Sequence, residues 1–87
     1  MKILDIKNIS REDGEIFYRR TFTGTAVIQF PLTTSEEPVT FTIEMTPLGT
    51  KNIEIEFKNK LDYPLLPVLK AMKELIKQKD FEGTLPL

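Results

Sequence analysis

Three glutamates near the middle of the chain stand in two alternating runs, Glu44 in VTFTIEM and Glu54 and Glu56 in NIEIEF. Strand side chains alternate with a period of two, so these carboxylates share one face of a sheet. Two chemistries suit such an acidic cluster: a hard-cation site, or a surface for a basic partner. Calcium takes about six or more oxygen ligands, and three glutamates on a flat exposed face make a poor cage. The plainer reading is a solvated strand face eased by Lys58 or Lys60. No metal is expected.

A second group carries an aromatic ring beside a guanidinium. On alternation it holds Phe17, Arg19, Thr21, Val27 and Gln29 on one outer sheet face. Aromatic and arginine side chains are enriched at protein interfaces. The same pair can stack a base and hold its phosphate. The competing explanation is a small second core over Phe17 and Val27. A third group, Lys70, Lys73 and Lys77, recurs at steps of three and four, one helical face. That is the ordinary solvated side of an amphipathic helix.

What is missing narrows the field further. The chain has no histidine and no cysteine. That removes Ser-His and Cys-His nucleophiles, the usual zinc ligands and disulfides. Its four glycines, Gly14, Gly24, Gly49 and Gly83, form no phosphate-cradling pattern. No cofactor is expected, and the chain is not expected to be an enzyme.

Positioning these groups falls to a small number of elements. Lys2 to Ile9 reads as a first strand, followed by a tight turn at Asp13-Gly14. Glu15 to Phe22 and Ala26 to Leu32 read as strands two and three, joined by a Thr23-Gly24-Thr25 loop. This register pairs Phe22 with Ala26, Tyr18 with Phe30 and Ile16 with Leu32, and gathers the apolar residues on one face. It also puts Arg20 on the inner face, with its guanidinium reaching water. TTSEEP, residues 33–38, reads as a loop. Strands four and five lie on either side of a Leu48-Gly49-Thr50 loop, which pairs Ile43 with Ile55 and Glu44 with Glu54.

The last element is a helix. Leu65, Leu69, Met72, Leu75 and Ile76 follow helical spacing, Asp62 is a plausible cap, and Gly83 is a stop. The tail, residues 83–87, either hangs free or lays Leu85 and Leu87 on an apolar groove. The expected fold is α+β: a single domain with a five-stranded, curved, meander-like antiparallel sheet and one C-terminal helix on one face. A curled half-barrel with the helix at one end is the alternative. This strand-then-helix order is similar to that of the ββββα modules of the PC4 and PUR families. The likeness is one of topology over strands two to five and the helix, and it implies a single-stranded nucleic-acid binder.

Size and charge weigh the options. The chain has 87 residues, with 12 Lys plus Arg against 13 Asp plus Glu and a net charge of −1. Near neutrality gives little long-range pull on nucleic acid or acidic membrane, and it tolerates self-association. No stretch approaches the ~20 apolar residues of a membrane span, and the N-terminal run is too short and charged for a signal peptide, so a cytoplasmic location is expected. The function expected is a small non-catalytic interaction protein, a homo-oligomer or the partner of another protein. Its candidate interface is Phe17, Arg19, Val27, Gln29, Leu85 and Leu87.

Overall fold

Residues 19 to 29 are rich in β-branched and aromatic side chains, which suit an extended pleated backbone. They form one unbroken strand. The structure, a computed structural model, describes residues 1–12, 14 and 17–87. It contains four strands, β1 (Lys2–Arg11), β2 (Arg19–Gln29), β3 (Thr34–Met45) and β4 (Lys51–Phe57), then one helix, α1 (Leu65–Glu82). The strands pair in the order β1-β2-β3-β4, antiparallel throughout. The α+β class and the meander hold, but the sheet has four strands and not five. Of the expected Asp13-Gly14 turn and the Glu15 start of strand two, residues 13, 15 and 16 lie outside the described residues.

The missing strand boundary is at Gly24. Thr23-Gly24-Thr25 is not a hairpin loop but the middle of β2, where Gly24 pairs with Val39. The expected pairs Phe22–Ala26 and Tyr18–Phe30 are therefore absent. The glycine is needed for space. A Cβ there would stand 3.1 Å from Ile6 Cγ2, 3.3 Å from the Lys7 carbonyl oxygen and 3.4 Å from Ile9 Cγ1. At this point β1 shifts register between Lys7 and Ser10, and Asn8 adopts φ 55°, so a bulge of the edge strand folds over the glycine. Gly24→Ala is expected to cost about 1 kcal/mol, because crowding a main-chain oxygen outweighs the gain in strand propensity. Equal urea midpoints for the two proteins would contradict it.

TTSEEP is likewise strand and not loop, since Thr34 to Pro38 pair with Gln29 to Thr25. Pro38 survives there for a geometric reason. Its carbonyl accepts a hydrogen bond from Lys58 N–H at 3.1 Å, so that side of the residue faces the end of β4. A strand residue's N–H points the same way as its C=O, and β4 pairs no further than Phe57 with Val39. The donor that proline lacks is therefore one β2 never needed.

The β3–β4 hairpin keeps the expected faces but shifts by two residues. Ile43 pairs with Ile53, Phe41 with Ile55 and Val39 with Phe57. The loop is Thr46 to Thr50, closed by Thr46 N–H to the Thr50 carbonyl at 2.8 Å and by contact of the two threonine hydroxyls at 2.6 Å. Pro47 sits in this loop and costs the ladder nothing.

The strand inner face and the helix make one core. Ile6, Phe22, Ala26, Ile28, Val39, Phe41, Ile43 and Ile53 pack with Val68, Met72 and Ile76 of α1. Phe22 and Phe41 stack with centroids 5.1 Å apart. The helix backbone comes within 8 Å of both edge strands and stays farther from the two central ones, so the sheet curls up on both sides of the helix. β3, at twelve residues, is about 40 Å long at ~3.3 Å per residue, which matches the 41 Å long axis of the molecule.

The helix begins at Leu65, as its prolines suggest, but Asp62 does not cap it. Pro64 is the capping residue, without a side-chain hydrogen bond. Pro67, third in the helix, has no N–H to satisfy. Gly83 ends the helix at φ 71°. The tail then returns to the core: Leu85 is only 7% exposed. Among the described residues, no helix is long and apolar enough to cross a membrane.

Candidate interaction surface

One end of the molecule gathers exposed apolar side chains over a set of ion pairs. Phe17 and Tyr18 precede β2, Met45 ends β3, and Pro47 and Leu48 lie in the following loop. Met45 N–H donates to the Tyr18 carbonyl at 2.9 Å, which ties these segments together. The Phe17 ring stands edge-on to Tyr18, 5.7 Å between centroids at 83°, a favoured aromatic geometry. It is nevertheless 92% exposed. A depression of about 430 Å³ lies among Tyr18, Glu44, Met45, Thr46 and Pro47. A smaller one of about 120 Å³ separates Phe17 and Tyr18 from Arg20, Met45 and Lys51.

Below this end sits Asp80. Arg20 Nη1 donates to its Oδ1 at 3.0 Å, and Lys51 Nζ donates to Oδ2. The aspartate side chain is 9% exposed. Burial pushes its pKa up, but the hydrogen bonds from Arg20 and Lys51, with their charges, more than reverse this and hold it below the usual carboxylate value. Arg20 thus occupies the inner face as expected, but it reaches the helix and not water. Its guanidinium also lies 6.0 Å from the Phe22 ring centroid. Asp80 is absent from the candidates read in the sequence, although a signal exists. An acid in the last turn of a helix opposes the helix dipole, so an acid there calls for nearby cations.

The residues expected at an interface do not form one patch. Phe17 lies in the turn ahead of β2, off the outer face. Arg19 is on that face, 4.0 Å from Glu44 across the β2–β3 pair. Val27 is half-buried between Asp5 and Glu36, and Gln29 is exposed between Lys2 and Thr34. Leu85 belongs to the core, which removes it as a docking residue, while Leu87 is fully exposed. The outer face between these positions is a field of threonines. Thr21 and Thr42 share a hydrogen bond at 3.3 Å, and no aromatic residue of the strands has the parity to reach this face.

The acidic cluster is looser than expected. With the hairpin shifted, Glu44 faces Asn52, Thr42 faces Glu54 and Thr40 faces Glu56. The anticipated Glu44–Glu54 opposition is absent, and the like-charge cost with it. Among the described residues no three acidic side chains come together as a cation cage. Lys70, Lys73 and Lys77 are exposed on α1. Lys79 instead bridges to Asp5 at 3.1 Å. That hydrogen bond is the main reason the Asp5 carboxyl also lies below its ordinary value.

A family model, that of the BB_0187 family, matches residues 1–81. The chain belongs to this family. The match covers every strand of the fold, both aromatic residues before β2, and Asp80 with its two cations. It stops short of Leu85 and Leu87. No curated protein and no solved structure matches the chain.

Proposed function

We propose that this chain is a non-catalytic interaction protein that pairs with a second copy of itself through the Phe17 end. The carrying observation is Phe17, held edge-on to Tyr18 yet 92% exposed, beside the exposed Met45 and Leu48. An aromatic held this way loses little conformational freedom on docking, which suits an interface anchor. A second copy fits the rim, because Arg19, Glu44 and Lys51 put both signs of charge around the patch. A twofold contact presents each sign to its opposite, and the net charge of −1 adds little repulsion. A chain of this size also gains from burying more surface. A cytoplasmic location belongs to the same proposal.

The single-stranded nucleic-acid alternative has less behind it. The outer sheet face offers threonines and Glu36, Glu44, Glu54 and Glu56, with no aromatic platform for bases to stack on. Light scattering at tens of micromolar decides the main proposal. The expected mass is twice the 10.0 kDa of the chain, falling to one chain in Phe17→Glu. A single-chain mass for the unaltered protein overturns it.

A further inference from the structure

We infer that the free edge of β4 receives an extended segment of another protein in which apolar and basic residues alternate. β4 is the last strand of the sheet, so half of its main-chain donors and acceptors have no strand beside them. The two edges are not equivalent. β1 breaks register twice and carries Asn8 at φ 55°, and bulges make an edge a poor template. β4 pairs with β3 over all seven of its residues without a break, and its other side is equally regular.

The two faces beside this edge differ in chemistry. On the helix side lies a groove of about 330 Å³, its apolar wall made by Ile55, Phe57, Leu61, Leu65 and Leu69. On the outer side Glu54 and Glu56 are exposed. Among the described residues neither makes an ion pair, while Asp5, Glu36, Glu44 and Asp80 all do. An added strand sends alternate side chains to the two faces. One set enters the groove and must be apolar. The other set stands beside two unpaired carboxylates, and basic side chains complement them. A second copy of β4 is a poor occupant, because the registers with most overlap set a glutamate of one strand opposite a glutamate of the other. This edge lies apart from the Phe17 end, and the inference stands without the self-association proposed above.

The probe is a blocked, fluorescently labelled peptide alternating lysine and valine, as long as β4, titrated into the full chain and read by anisotropy. Saturable binding is expected, with a scrambled peptide of the same composition binding far less. Glu54→Lys with Glu56→Lys, and separately Leu65→Glu, should each weaken binding by about tenfold or more. All three positions are exposed, so far-UV circular dichroism should stay unchanged. Phe17→Glu should bind as the parent does, which separates this edge from the self-association surface. Equal binding of the scrambled peptide, unchanged affinity in both variants, or no binding at millimolar peptide overturns the inference.

Discussion

Phe41→Ala is expected to remove about 3–5 kcal/mol of stability, the range for truncating a fully buried aromatic. Phe41 has no exposed surface and stacks on Phe22 at 5.1 Å. It sits on β3, a central strand, with Phe22 on one side and Ile55 on the other. Its loss opens a cavity where the surrounding strands are paired and cannot close in. A domain of this length has roughly 4–13 kcal/mol in total, so the variant is expected to be partly unfolded at room temperature. Phe41→Leu keeps most of the volume and should cost about 1 kcal/mol. Urea denaturation followed by circular dichroism measures both. A Phe41→Ala cost under about 1 kcal/mol would show that the ring is not packed as described.

Asp80→Asn is the second large effect, and it depends on pH. Two charge-assisted hydrogen bonds are lost, each nominally about 1.5–3 kcal/mol. Arg20 and Lys51 are partly exposed and water can take them back, which discounts that figure. Removing an acid from the last helical turn returns a few tenths of a kcal/mol. The net cost expected at neutral pH is about 2 kcal/mol, or a melting temperature lower by about 8–16 °C. The Asp80 pKa is lowered on folding, so the unfolded chain takes up the proton first as pH falls. The contribution is therefore complete above the ordinary value of 3.8 and is lost as pH drops through and below it. The gap between the parent and Asp80→Asn should be widest at neutral pH and close in acid. A gap that stays constant down to acid pH would mean that the carboxylate charge is not what the two cations hold.

The sequence made some of this fold legible and hid the rest for identifiable reasons. Alternation in β3 and β4 places Val39, Phe41, Ile43 and Ile53 on the core side correctly, because parity survives a two-residue slip. The slip itself is invisible, since both registers segregate polar from apolar equally well and only the loop closure at Thr46 and Thr50 distinguishes them. Gly24 misleads for a different reason. A glycine between threonines suits a turn and suits a close backbone approach, and the second meaning depends on a bulge in another strand. Helical spacing reads the buried face one step off. It selects Leu65, which is half exposed, and omits Val68, which is fully buried beside Met72 and Ile76. The place of Val68 is set by how the curled sheet meets the helix, and no local periodicity contains that. The candidate surface is legible at Phe17 and Arg19, while Asp80, Lys51 and the β4 groove depend on contacts across the chain.

The order of the elements has a consequence for synthesis. All four strands leave the ribosome before the helix that shields them, because β4 ends at Phe57 and α1 runs to Glu82. At about 5–20 residues per second, the nascent sheet waits roughly 1–5 s with Phe22, Phe41 and Ile43 bare to water. Throughout that interval the polypeptide presents a sticky concave face and an unbroken outer strand, the pattern that chaperones bind and that clumping exploits. A codon change that slows translation between residues 58 and 82 should therefore lower the soluble yield without altering a single amino acid.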